Sequence, residues 1–242
     1  GSQEFMVESS VGDDTLLICP SCGYAANEEK AACAPDKQPE NGNTSQDSTP
    51  VMEEIDTPDV RTIEALASFL KRPSDCLIKA LIYRIENSEV LAAKTADNKH
   101  KNGIDGGQLV AVCIRGDLEV NEAKLKSALK ASEAVLTSDR EVEEVTGTVI
   151  GFIGPAGLKN IPIIADESVM LMHDTVTGAL KRDKHLIHVE PLRDFTPDYI
   201  FDLRTVRAGD KCSVCGAPLY TKKGNELGHI FKLGYKYTKA MN

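Results

Sequence analysis

Lys79-Ala-Leu-Ile-Tyr-Arg-Ile85 and Leu109-Val-Ala-Val-Cys-Ile-Arg115 are the stretches whose reading decides the fold. Each is short, mostly apolar and bounded by polar or Gly-containing sequence, which predicts two strands of a buried sheet. Upstream, Thr62 can cap a helix whose apolar face is Ile63, Leu66, Phe69 and Leu70, with Pro73 as its stop and a short helical turn opening at Ser74. Residues 87–107 between the two strands are polar and Gly-ended, and read as a long hairpin excursion. Downstream, Asn121 can cap a helix carrying Lys124, Leu125 and Leu129. Ser138 with Glu141 has capping-box spacing for the next helix, and Gly147 suits its exit. Val149–Leu158 (VIGFIGPAGL) reads as an apolar strand running into a Gly/Pro loop, and Ile161–Ala165, Leu186–Val189 and Tyr199–Leu203 as the remaining strands. Helices and strands interleave irregularly, which predicts an α/β domain with a mixed, strongly curved sheet surrounded by helices rather than a regular βαβ repeat.

Composition sets the limits. The 242 residues are 41% apolar and 27% charged, with no Trp, so the core is aliphatic. Net charge is −9, unevenly spread: residues 1–60 carry 13 acids and 2 bases, residues 204–242 carry 8 bases and 2 acids. A domain-wide basic field is thereby excluded, and any nucleic-acid contact is expected to be local. No apolar run approaches the roughly 18 residues of a membrane span. Gly1-Ser-Gln-Glu-Phe-Met6 has neither the basic nor the apolar region of a signal peptide and reads as a cloning scar. Residues 36–60, rich in Pro, Asn, Ser and acids, read as a linker between an N-terminal segment, 7–35, and a compact domain over 61–206, with a C-terminal segment over 207–242. Seven cysteines without a secretion signal predict reduced thiols in a cytoplasmic protein.

Cys19-Pro-Ser-Cys22-Gly and Cys212-Ser-Val-Cys215-Gly are the strongest chemical signal, because two CxxCG knuckles present four thiolates tetrahedrally to Zn²⁺. The 189 residues between the pairs are far too many for a zinc ribbon, but fit a metal clasp at the neck of an inserted domain. Without a metal the four would be ordinary reduced thiols, and Cys33, Cys76 and Cys113 read as inert. Gly151-Phe-Ile-Gly154-Pro155-Ala-Gly157 can bring backbone N–H groups close to a ligand carbonyl; the plainer alternative is a tight apolar turn. Lys79 opens an apolar strand, where a buried amine needs a charged partner or a phosphate, unless it snorkels to solvent. Arg115-Gly-Asp117-Leu-Glu119-Val-Asn121 lies at a strand-to-helix junction and can line a pocket or simply cap a helix. His185 and His188, with two residues between them, face opposite sides of a strand, and His173 stands alone. No GxSxG elbow or other nucleophile arrangement is present.

Two phrases go further. Cys22-Gly-Tyr-Ala-Ala-Asn27 resembles the CxYAAN segment of bacterial-type prolyl-tRNA synthetases, and Gly228-His-Ile-Phe-Lys-Leu-Gly234-Tyr-Lys-Tyr237-Thr is similar to their GHIFxLGxKYS segment. In that family the two segments flank an inserted editing domain of the YbaK-like deacylase group. Between them Thr62-Ile-Glu, Lys79-Ala-Leu-Ile, Val112-Cys-Ile-Arg-Gly-Asp117, Gly154-Pro and Lys184-His185 follow the insertion's order. The resemblance implies a partly barrel-like sheet, with short flanks of the class II catalytic core. It implies hydrolysis of alanine mischarged on proline tRNA, with the CCA end and the rest of a homodimeric synthetase as partners and no membrane. It assigns Lys79 to the terminal adenosine and its phosphate, and Gly151 and Gly154 to the loop that holds the ester. Asp166 would shape the site, His185 line the amino-acid pocket, and Pro155, Arg115 and Asn121 contact substrate. Water is the attacking group, placed by the loop and the substrate's ribose, so no cofactor is needed. ATP would serve only the synthetase core, whose motifs are absent here. The 87–107 excursion, with Lys94, Lys99, His100 and Lys101, is longer than the family's turn. The alternative function is a non-catalytic structural or tRNA-gripping insertion.

Overall fold

The computed structural model describes residues 2–35, 49–95, 103–104 and 107–231. Along the chain run β1 (Ser2–Glu8), β2 (Asp14–Ile18), β3 (Ala25–Asn27), β4 (Glu53–Asp56), α1 (Ile63–Leu70), β5 (Ile78–Glu86), α2 (Glu89–Thr95) and β6 (Gly103–Ile104). There follow β7 (Gly107–Arg115), α3 (Glu122–Ala128), β8 (Glu133–Leu136), α4 (Asp139–Thr146), β9 (Ile163–Asp166), β10 (Thr175–Gly178), β11 (Lys184–Val189), β12 (Tyr199–Phe201) and β13 (Tyr220–Phe231). Two compact units result: Pro35–Thr205, and Gly1–Ala34 together with Val206–Asn242.

In the larger unit one sheet runs β12-β9-β7-β5-β8, with β6 beside β7, and a second runs β10-β11-β4. β12, β9 and β7 are parallel, while β7, β5 and β8 are antiparallel. An isolated bridge, Leu77 to Val176, brings the two sheets together. Period-two alternation assigns the faces. Ile78, Ala80 and Ile82 of β5, Leu109, Ala111 and Cys113 of β7 and Ile163 and Ala165 of β9 enter one core with Leu186 and Val189. Tyr83, Ile85, Val110, Val112 and Ile164 enter the other, against Leu91 of α2 and Leu125 of α3. The sheet is therefore covered on both faces, and the domain is mixed α/β.

Helix ends follow their caps. Thr62 Oγ1 accepts from Ala65 N at 3.2 Å, Asn121 Oδ1 accepts from Lys124 N at 3.1 Å, and Ser138 N donates to Glu141 Oε2 at 3.1 Å. α1 stops in a left-handed Lys71 two residues before Pro73, and Phe69 stays half exposed.

Several expectations are corrected. Val149–Leu158 is a run of turns, not a strand. Phe152, Ile153 and Ala156 are buried while Ile150 is 43% exposed, and Gly151 sits at φ +100°, which ends any extended run. The 87–107 excursion contains α2 and β6; Lys99, His100 and Lys101 lie outside the described residues. In the linker reading of 36–60, residues 36–48 lie outside the described ones, but Glu53–Asp56 forms β4, paired with Lys184–Ile187. Its acidic composition hid it: Glu54 pairs with Lys181 at 2.6 Å and Asp56 with Lys184 at 2.8 Å, so an edge strand carries charge at little cost.

The smaller unit is one antiparallel sheet, β1-β13-β2-β3. β13 pairs with β2 through Tyr220–Gly224 and with β1 through Gly224–Phe231. Ser2–Glu8, which takes in most of the stretch read as a scar, holds a seven-position register with β13. The two flanks thus supply each other's partner strands.

Replacing Ile164 by Ala empties the centre of β9, where the side chain is fully buried. The expected loss is about 2–5 kcal/mol of larger-unit stability, read as a lower urea midpoint.

Candidate functional site

β8 pairs only with Tyr83–Glu86 of β5. Over Ile78–Leu81 the β5 edge is thus left without a paired strand among the described residues, and a cavity of about 200 Å³ opens beside it. Its other walls are Arg61, Thr62, Ile63 and Leu66 at the start of α1, then Ile150, Gly151 and Ile153, then Thr177, Gly178 and His185.

Close backbone packing shapes this cavity. A Cβ on Gly154 would lie 2.0 Å from the Gly178 carbonyl oxygen, and one on Gly178 would lie 2.3 Å from the Phe152 carbonyl carbon. A Cβ on Gly151 would meet the Arg61 carbonyl oxygen at 2.7 Å. The 151–154 loop therefore lies flat against the end of β10 and the chain before α1, as only glycine permits. Leu180 N donates to the Phe152 carbonyl at 2.9 Å, and Thr177 Oγ1 to the Ile78 carbonyl at 2.9 Å, fixing loop, β10 and β5 together.

His185 locks the arrangement. It is 3% exposed, its Nδ1 lies 2.6 Å from Thr57 Oγ1, and its ring sits 5.4 Å from that of Phe152. Burial lowers its pKa below the usual histidine range. The neighbouring Gly151 backbone works against that shift without reversing it.

Lys79 has found a partner in the chain: Nζ donates to Glu119 Oε1 at 2.8 Å, with the lysine side chain 15% exposed and the glutamate 59%. A buried amine thus faces the cavity beside a carboxylate that is free to swing into solvent.

Of the other expected residues, Gly154 packs on Gly178 next to the lining, and Gly154, Asp166, Arg115, Asn121 and Pro155 are not part of it. Asp166 is fully buried; its carboxylate accepts from Leu203 N at 2.7 Å, from Ser168 N at 2.9 Å and from the Ser168 hydroxyl, tying β9 to the chain after β12. Arg115 forms a two-point pair with Asp117 at 2.6 and 2.9 Å, Asn121 is the cap of α3, and Pro155 is buried in the turn after Gly154. Thr57, Arg61, Ile150 and Gly178 were missed. Thr57 sat in residues read as linker, and a single glycine ending Thr-Val-Thr-Gly gave no warning of a close approach.

In the smaller unit Cys19, Cys22, Cys212 and Cys215 bring their sulfurs within 4.8 Å of one another, close enough to hold a metal ion. Cys113 is fully buried in the sheet, its thiol pushed up to about 12, as an inert core cysteine should be. No helix among the described residues is long and apolar enough to cross a membrane.

Comparison with known proteins places these features. Residues 57–195 match the family model of the aminoacyl-tRNA editing domain. The whole chain is 74% identical over 242 residues to a proline–tRNA ligase of Treponema denticola and 47% identical over 278 residues to one of Treponema pallidum. It spans only 41% and 43% of those relatives' lengths. A crystal structure of a hypothetical protein, APE2540, shares the fold at TM-score 0.50 and 19% identity, covering 64% of this chain and 91% of that one.

The buried neutral His185 has a signed consequence. Below about pH 6.5, its ordinary value, the unfolded chain takes a proton that the folded ring resists, so larger-unit stability falls as pH drops. The expected outcome is a flatter stability-versus-pH profile between about pH 6.5 and 5 for His185→Asn than for the parent, measured by urea unfolding. His173 and His188, which pair with Glu190 and Asp174, are common to both proteins and cancel in the comparison.

Proposed function

The chain belongs to the aminoacyl-tRNA editing domain family, and from that premise we propose that it is the editing portion of a prolyl-tRNA synthetase, hydrolysing Ala-tRNA(Pro). The observation that carries this reading is the small cavity on the free β5 edge, walled by Ile63, Leu66, Ile150 and Ile153 and closed by the glycine loop. The 3′ end of the tRNA, the CCA, enters there with its amino-acid ester. Lys79 exchanges Glu119 for the terminal adenosine's phosphate, a displacement made easy by the glutamate's exposure. Alanine's methyl group sits against the aliphatic wall beside His185, where the larger proline ring is excluded. A synthetic site cannot strongly reject the smaller residue, since a missing methylene is worth only about 1–3 kcal/mol, so a second sieve has a purpose.

The chemistry is water attack on the ester carbonyl. Loop N–H groups over Gly151–Gly154 steady the oxyanion. The intermediate collapses by breaking the bond to the ribose oxygen, which leaves protonated as the tRNA hydroxyl. Among the polar lining groups, Thr177, Thr62 and His185 already have partners within the protein, which supports a proton route through water and the substrate's own ribose hydroxyl. Asp166, Arg115, Pro155 and Asn121 support the frame of the site rather than touching substrate. ATP, proline activation and dimerisation belong to the rest of the synthetase. The setting is the cytoplasm, with no membrane partner. Structural zinc belongs to the four cysteines and plays no part in the hydrolysis.

The test is deacylation of Ala-tRNA(Pro), with Pro-tRNA(Pro) as the control. The expected outcome is alanine release with proline spared, and kcat/KM lowered roughly 10- to 100-fold by Lys79→Ala, the size of one lost charge-assisted contact. Release that is unchanged in Lys79→Ala, or absent when the domain is also presented within a full-length synthetase, would leave the non-catalytic insertion as the better account.

A further inference from the structure

The smaller unit is a discontinuous sheet with a thin core. Among the described residues its buried core cluster is Leu17, Cys19, Ala31, Val206, Cys212 and Leu219, so two of the six are themselves metal-binding candidates. Val11, Val214 and Leu227 contribute little, being 83%, 68% and 72% exposed. A core of this size supplies too little burial to close two chain segments upon each other, and units of this kind need a staple.

The four cysteines have the form of one. The two knuckles repeat each other. Cys19 N donates to the Tyr24 carbonyl at 2.8 Å and Gly23 N to the Cys19 carbonyl at 3.1 Å; Cys212 N donates to the Ala217 carbonyl at 2.7 Å and Gly216 N to the Cys212 carbonyl at 2.9 Å. Gly23 and Gly216 take φ of +74° and +76°. A backbone N–H is aimed at one of the sulfurs: Val214 N donates to Cys212 Sγ at 3.4 Å. Across the knuckles, Cys19 Sγ to Cys215 Sγ is 3.4 Å and Cys22 Sγ to Cys212 Sγ is 3.7 Å. A zinc tetrathiolate with Zn–S near 2.3 Å has tetrahedral edges of about 3.8 Å, whereas a disulfide would need about 2.05 Å. Four sulfurs within 4.8 Å of one another, on two buried and two exposed cysteines and with a backbone N–H donated to one of them, form a site for a soft, tetrahedral divalent cation.

We propose that zinc at Cys19, Cys22, Cys212 and Cys215 is the folding switch of the smaller unit: its two segments close into one sheet only when the ion is bound, while the larger unit folds without it. This rests on the zinc reading of the cluster and is independent of the editing reading. Each cross-pair joins positions 190 or 196 residues apart, so the metal replaces a long loop closure that the apolar core cannot supply. The larger unit holds two extended apolar cores and has no share in the cluster.

The full chain, purified under reducing conditions, should carry one equivalent of zinc by elemental analysis. Stripping the ion with a thiol-directed mercurial and then restoring thiols in chelator should abolish amide protection in β2 and over Tyr220–Gly224. The expected fall is roughly 100-fold or more, as when a ligand at about 100 times its dissociation constant is withdrawn. One equivalent of Zn²⁺ should restore it, and β5, β7 and β9 should be unchanged throughout. Cobalt refilling, with tetrahedral ligand-field bands, reports the four-sulfur site without a mutation, and Cys22→Ser with Cys215→Ser should reproduce the stripped state. Zinc present but β2 protected after stripping would overturn the switch and leave the zinc site standing. A metal-free or iron-loaded chain with β2 protected would overturn the zinc reading itself. Loss of protection in both units would overturn the independence of the larger one.

Discussion

The contact on which the site depends is backbone against backbone: the Gly151–Gly154 loop lying on Gly178 at the end of β10. With Cβ atoms excluded at distances of 2.0 and 2.3 Å, the two segments approach more closely than any side-chain-bearing pair could. That approach places Gly151 and Ile153 on the cavity wall. The same loop and the start of α1 wall the cavity beside the β5 edge that β8 leaves open over Ile78–Leu81. The catalytic-looking side chains are arranged around a decision made by glycines.

The smaller unit is governed differently. Its sheet is formed from two segments far apart in the chain, and among the described residues its buried cluster includes two of the four clustered cysteines. The larger unit, by contrast, buries aliphatic residues on both faces of its main sheet. On the zinc proposal, two solutions to the same entropy problem sit in one chain, one by area and one by cross-linking.

Sequence reading was reliable where one residue type has one physical use. The strands Lys79–Ile85 and Leu109–Arg115, the caps Thr62, Asn121 and Ser138 and the CxxCG pairs were visible because alternation, capping and thiolate spacing are local patterns. Reading failed where the deciding partner is distant in sequence. β4 looked like linker because Glu53–Asp56 is acidic, and only the lysines near β11 make it a strand. Val149–Leu158 looked like a strand because apolar content does not distinguish an extended segment from a buried turn. Asp166, Arg115 and Asn121 lie away from the cavity lining, where each satisfies a neighbour's backbone or charge. Thr57 carried no signal at all, since its value lies in one hydrogen bond to a histidine 128 residues away.

That hydrogen bond bears on mechanism. His185 Nδ1 lies against the Thr57 hydroxyl, and burial disfavours the protonated ring. A ring held this way packs on Phe152 of the glycine loop, which is a geometric task. The cation at the cavity is equally committed, since Lys79 rests on Glu119. Under the proposed function, a site with its polar groups paired in this way orients the substrate, and the proton route through water and the ribose hydroxyl next to the ester would tie catalysis to a tRNA end rather than to any small ester of the same amino acid.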